Sequence, residues 1–176
     1  MSQRTIAFVG ISGVGKSTFL GSAAKKIAFR HLTAGSLIGR AREAERDGLR
    51  LQNIDENQRL LVAGFKMAKN STDELVVIDS HVIIDGVDGL QAISSNVFAA
   101  LGAEAIVHLE AEATQILTNR EGDKSRNRPI LSVNELDAHQ VSSRNAALDI
   151  ARSLAIPFRS FSHDDLSEFC AFAVGL

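Results

Sequence analysis

A single cysteine, Cys170, in 176 residues excludes an intrachain disulfide. The chain needs no oxidising compartment, and the cytoplasm is the expected location. No apolar run approaches the ~18 residues that a membrane span needs. A secretory signal is not expected either, because polar Ser2-Gln3-Arg4 leads into only a short apolar stretch before a glycine-rich turn. There is no Pro/Ser linker, internal repeat or low-complexity tract, so one domain over residues 1–176 is expected. Excess charge of either sign is also missing: 19 Lys and Arg stand against 21 Asp and Glu, a net charge of −2. That balance argues against a chain that binds nucleic acid through its overall charge. The most local absence is of bases. Between Ser71 and Asn119 there is no Lys or Arg, while Asp73, Glu74, Asp79, Asp85, Asp88, Glu104, Glu110 and Glu112 all fall there. Arg120, Lys124, Arg126 and Arg128 come directly afterwards. Such contrast points to a site for a small anion, with a solvated basic loop as the plainer alternative.

What is present is ordinary globular material, 45% hydrophobic and 23% charged, which excludes a disordered or collagen-like chain. Short apolar runs alternate with helical spacing. Strands are expected at Arg4–Gly10, His31–Thr33, Glu74–Asp79, Ala105–Leu109 and Phe158–Phe161. Helices are expected at Ser17–Phe29, Ser36–Gly48 with Ser36 as a cap, Asp55–Lys69, about Leu90–Leu101, Ala113–Arg120 and Asn134–Leu154, with a short one from about Asp165. In the Asp55–Lys69 helix, Leu60, Leu61, Ala63, Gly64 and Met67 form the expected buried side. Gly86, Asp88 and Gly89 mark a loop, and Glu121–Ser132 is a polar, basic one. Strands alternating with helices make a parallel sheet covered on both faces.

One stretch is specific. Gly10-Ile-Ser-Gly-Val-Gly-Lys16-Ser17 fits the pattern G-x-x-x-x-G-K-S/T in full, between an expected strand and an expected helix. Glycines there let successive backbone N–H groups turn inward around a phosphate. The backbone of Gly10, Ser12, Gly13, Val14 and Gly15 is expected to cradle a triphosphate. Lys16 would place an ammonium on its β/γ-phosphates, Ser17 a hydroxyl on Mg²⁺, and Thr18 would extend the polar edge. ATP or GTP with Mg²⁺ is implied. The N-K-x-D pattern that reads guanine in regulatory GTPases does not occur.

In this order of motifs the sequence resembles the P-loop nucleoside monophosphate kinase superfamily, and is most similar to the archaeal type of adenylate kinase. Besides the phosphate loop, Thr33-Ala-Gly-Ser-Leu-Ile-Gly-Arg40 is similar to the T-G-D-x-x-R stretch that opens the acceptor site. Val76-Val-Ile-Asp79-Ser80-His81 is similar to a strand-ending D-G/T-H. Arg120 with Arg126-Asn127-Arg128 resembles an arginine-bearing lid. The family's D-G-F/Y-P-R segment has no counterpart, since His81-Val-Ile-Ile-Asp85-Gly86 lacks its arginine.

The resemblance implies a three-layer α/β P-loop NTPase fold: a five-stranded parallel sheet, helices on both faces, an acceptor segment at about residues 33–70 and a short lid at about 120–132. It implies an ATP-dependent phosphotransferase using Mg²⁺, with Lys16, Arg120, Arg126 and Arg128 acting on the transferring phosphate. Thr33, Ser36, Arg40, Gln58 and His81 are the candidate acceptor contacts, and Ser17 with Asp79 the candidate metal ligands. AMP is the first acceptor to try. A nucleoside, a deoxynucleotide or another small metabolite remains open, as does a regulatory switch that hydrolyses ATP against a protein partner. No membrane or nucleic-acid partner is expected. The histidines show no metal-ligand spacing, Arg144 reads as a surface ion pair, and Cys170 as packing.

Overall fold

The computed structural model describes residues 3–45, 54–69, 75–86, 89–123 and 130–176. Its centre is a five-stranded, wholly parallel sheet in the order β2-β3-β1-β6-β7. The strands are β1 (Arg4–Val9), β2 (Arg30–Thr33), β3 (Leu75–Asp79), β6 (Ala105–Leu109) and β7 (Phe158–Phe161). Side chains of β1 alternate between two separate cores. Ile6 and Phe8 enter one with Val77 and Val107, and Ala7 and Val9 enter the other with Ile78 and Ile106. A strand buried on both faces must be apolar throughout, which is why these runs carry no polar alternation.

The first core lies under α1 (Lys16–Ala23), α5 (Ala113–Gly122) and α7 (Leu166–Gly175), the last preceded by a 3₁₀ turn at His163–Asp165. Phe8 stacks on Phe19 at 5.5 Å, and Phe169 meets both edge-on at 5.4 Å. The second core lies under α2 (Ala34–Glu45), α3 (Ile54–Ala68), α4 (Ser95–Ala100) and the long α6 (Val133–Leu154). The three layers are those expected, and no helix among the described residues is long and apolar enough to cross a membrane.

Four expectations about elements change. The helix placed at Leu90–Leu101 begins only at Ser95, because Gly89–Ala92 (β5) pairs back antiparallel on Ile83–Gly86 (β4), and the Ser94 hydroxyl caps α4. The first helix stops at Ala23 instead of Phe29. Ser36 is not the cap of α2. That helix starts at Ala34, and the Thr33 hydroxyl accepts the Ser36 N–H at 3.2 Å, as an N-cap does. In α3 the buried stripe is Leu60, Leu61, Gly64, Phe65 and Ala68, at helical period, while Met67 is 60% exposed. Gly64 brings α3 against the α2 backbone: a Cβ on it would lie 2.6 Å from the carbonyl carbon of Leu37. At its far end α6 stops in a left-handed residue, Ala155 (φ 53°), before Ile156-Pro157.

Candidate active site

The site forms where β1, β3 and β6 end. In open parallel sheets this edge is where ligands bind, because helix N-termini and the loops between elements converge there. β1 runs directly into the phosphate loop, and Lys16 opens α1. The loop turns through left-handed backbone at Gly13 (φ 91°) and Gly15 (φ 95°). Neither position has room for a side chain: a Cβ at Gly13 would meet Arg120 Cγ at 2.7 Å, and one at Gly15 would meet the His163 ring at 2.7 Å.

Lys16 is buried at the base of the loop. Its ammonium donates to the Gly10 carbonyl at 2.9 Å and sits 3.6 Å from Asp79 Oδ1. The second Asp79 oxygen is 3.9 Å from His31 Nε2 on β2. His81 Nδ1 is 2.9 Å from the same Gly10 carbonyl and donates to it. The remaining carbonyls of the loop are held from outside. Arg120 Nε donates to Ser12 O and Asn119 Nδ2 to Gly13 O, both at 2.8 Å, and His163 Nε2 donates to Val14 O at 2.7 Å.

Above the loop is a cleft of about 660 Å³, within the usual range for a small-molecule site. One side is Ser12, Gly13, Gly15, Lys16, Ser17 and Thr18. The opposite side comes from α2, α3 and the β4–β5 hairpin, with apolar Ile38, Leu61, Ile84 and Ile93 and neutral polar Thr33, Asn57 and Gln58. Asp79, Ser80 and His81, at the end of β3, form the floor between them.

Most of the sequence-selected residues therefore meet in one place: the phosphate loop, Asp79, Thr33, Gln58 and His81. Two do not. Ser36 is turned back on the start of α2, donating to Thr33 O at 2.9 Å, and Arg40 is exposed on α2 outside the cleft lining. The next basic residue on that helix, Arg42, bonds the Asn57 carboxamide oxygen. Arg120 lies along the phosphate loop, and Arg126 and Arg128 fall outside the described residues. Asp79 pairs with Lys16 and His31. Arg144 is in an ion pair, its Nε 3.1 Å from Glu110 Oε1. Hydrogen bonding from the fully buried His108, then from Ser160, and the Arg144 charge hold that carboxyl below the ordinary glutamate range against its partial burial. Burial pushes the Cys170 thiol up, as expected of a packing residue. No cluster of three His, Cys, Asp or Glu among the described residues is arranged to hold a metal.

Sequence reasoning passed over Ser80, Asn119 and His163. Ser80 lies inside the quoted Asp79-Ser80-His81 stretch, and its buried hydroxyl in the cleft lining has no hydrogen-bond partner. Asn119 is next to Arg120 and was legible as part of that helix end. His163 is 149 positions from Val14, and no local pattern connects them.

A family model described as an AAA domain matches residues 9–137. An adenylate kinase from Methanococcus vannielii is 28% identical over 160 residues, covering 84% of this chain and 83% of that protein. One from Thermococcus onnurineus is 30% identical over 158 residues, covering 83% and 79%. Among solved structures, a gluconokinase from Sinorhizobium meliloti aligns over 98% of this chain and 90% of its own, with a TM-score of 0.52 at 16% identity. That last likeness is one of fold.

Proposed function

The chain belongs to the AAA-domain family and to that of the adenylate kinases, and from this premise we propose that its cleft moves the γ-phosphate of Mg·ATP to a nucleoside monophosphate, AMP first. It is a nucleotide-kinase-like, ATP-dependent phosphotransferase. The finer reading rests on one observation. The buried Lys16 ammonium lies at the base of a cleft whose far wall, across from the phosphate loop, is built from other elements and leaves volume for a second ligand.

Phosphoryl transfer needs positioning and charge neutralisation more than covalent chemistry. The phosphate-loop N–H groups and the N-terminus of α1 bind the triphosphate. Lys16 exchanges Gly10 O for the β/γ-oxygens, so the transferring group meets an ammonium already buried at the base of the cleft. Arg120, with Arg126 and Arg128 beyond it in sequence, supplies guanidinium groups to the phosphates from the lid side. Thr33, Gln58 and His81 orient the acceptor. The donor set fits Mg²⁺: the Ser17 hydroxyl and the Asp79 carboxylate both line the cleft, and both are hard oxygen ligands. When bound, Mg²⁺ neutralises charge on the phosphate oxygens. We place this activity in the cytoplasm.

A second reading has its own observation. The far wall is apolar and neutral among the described residues, with Arg40 outside it. An uncharged acceptor hydroxyl, as on a nucleoside, suits such a wall. The deciding experiment gives Mg·ATP to the protein with a panel of nucleoside monophosphates and nucleosides, measuring ADP and free phosphate together. A kinase forms ADP much faster with the right acceptor and releases no extra phosphate. Equal ADP and phosphate across the whole panel would replace both readings with an ATP-hydrolysing switch.

A further inference from the structure

We propose that His163 is a positioning residue for the phosphate loop: its Nε2–H fixes the Val14–Gly15 peptide so that the Gly15 N–H faces the triphosphate. The inference rests on the reading of Gly10–Ser17 as a triphosphate site and goes beyond it, since no part of the motif calls for a residue from the far end of the chain.

Three observations carry it. First, His163 Nε2 is 2.7 Å from Val14 O, and Val14 itself is fully buried. In a trans peptide the carbonyl and the next N–H point in opposite directions. Holding the Val14 carbonyl toward His163 therefore turns the Gly15 N–H the other way, and Gly15 lines the cleft. Second, the ring is in contact with the loop and is not merely within bonding reach. A Cβ on Gly15 would lie 2.7 Å from Cε1 and 2.8 Å from Nε2, so the absence of a side chain at Gly15 is what admits the imidazole. Third, His163 is itself held rigidly. Its ring meets Phe19 edge-on at 5.9 Å. Its backbone begins a 3₁₀ turn closed by a reciprocal cap, with the Ser162 N–H and hydroxyl both donating to Asp165 Oδ2, at 2.6 and 2.7 Å. A fixed donor on a buried carbonyl removes one rotation that a glycine-rich loop would otherwise lose on binding.

The test is direct binding, which does not depend on any acceptor. Mg·ATP and inorganic tripolyphosphate are each titrated by calorimetry into the wild type, His163→Ala and His163→Gln, with thermal melts to confirm that the variants fold. Loss of one hydrogen bond and of the loop's fixed geometry weakens both ligands by the same factor, about five- to tenfold, in His163→Ala. The amide of His163→Gln places a nitrogen at nearly the distance of Nε2 and recovers most of that loss. Unchanged tripolyphosphate affinity in a folded His163→Ala would overturn the proposal. So would weakening of ATP alone, which would make His163 a base contact, or a Gln variant no better than Ala. A wild type that binds neither ligand would overturn the triphosphate site together with the role of His163.

Discussion

Replacing Gly64 with alanine sets two effects of opposite sign against each other. In the middle of a helix, alanine is better than glycine by about 1 kcal/mol, because the glycine backbone loses more freedom on folding. At Gly64, however, the new methyl points into the α2 backbone, 2.6 Å from the Leu37 carbonyl carbon and closer still to its oxygen. Backbone within a packed helix cannot turn aside as a side-chain tip can. Overpacking of this kind costs about 1–3 kcal/mol, and a backbone obstacle belongs at the upper end. The net result is a loss of about 1–2 kcal/mol, or a fall in Tm of about 2–8 °C for a chain of this size. Gly39→Ala, on the facing helix, is the control: nothing lies within 4 Å of its Cβ, so only the propensity gain remains. Its Tm should rise by about 2–4 °C. Calorimetric melts of the two variants beside the wild type measure both signs. Ile38 of α2 and Leu61 of α3 line the far wall, so Gly64→Ala should also raise the acceptor KM while leaving the KM for ATP nearly unchanged. If Gly64→Ala stabilises as much as Gly39→Ala, the close approach of α2 and α3 is wrong.

Lys16→Ala should lower turnover by about 10²- to 10³-fold with the fold retained, since it removes the buried cation from the base of the proposed triphosphate site; undiminished turnover in a folded variant refutes the phosphate-loop assignment. Ala155→Gly should stabilise by about 0.5–1 kcal/mol, because the left-handed cap of α6 now carries a Cβ at φ 53°; a lower Tm would show that the Ala155 methyl contributes packing that outweighs the strain. The folded-state pKa of Glu110 lies below its unfolded value, chiefly through the His108 hydrogen bond. Its contribution to stability is therefore present above the ordinary glutamate pKa and lost as pH falls through the folded one. Glu110→Gln should accordingly show a shallower loss of stability under acid than the wild type in denaturant titrations; parallel curves would remove Glu110 from the acid response.

The parts of the fold that were legible in the sequence are those set by local physics. Strands β1, β3 and β6 are built on apolar runs, and their ends, like those of β7, fell within a residue of expectation. The phosphate loop was fixed by its glycines and lysine. The hairpin β4–β5 was not legible, because its pairing, Ile83 opposite Ala92 and Ile84 opposite Gln91, depends on the chain folding back and not on alternation within either short strand. Leu90 and Ile93 also fit a helical stripe with Val97 and Leu101, which drew the expected helix too far forward. Ser36 suited a helix cap by type, but Thr33 stood at the position where the strand ends and the first N–H groups fall free. Asp79 was chosen as a carboxylate that must have a partner in the sheet edge. Lys16 and His31 both pair with it, and the parallel pairing of β3 with β1 and with β2 is what brings them together. Arg40 shows the opposite limit: a basic residue near the family spacing, carried by the turn of α2 to the solvent side.

The strand order has a consequence for how the chain reaches its native state. Among the five strands of the sheet, β1 is the earliest in the chain and the central one. Its two neighbours pair through Thr5 with Val76 and Ile6 with Ala105, so both arrive only after long intervening stretches have been made. Until then Ile6–Val9, wholly apolar, has two open hydrogen-bonding edges and no cover on either face, the condition in which strands recruit other chains. Parallel pairing across such separations is slow, because loop closure must precede any contact that rewards it. The glycine-rich turn and α1, next in the chain, bring the nearest apolar cover, through Phe19 and Leu20 packing on the face that carries Ile6 and Phe8. The residues proposed to hold nucleotide thus also join the most exposed strand of the sheet to its first shelter.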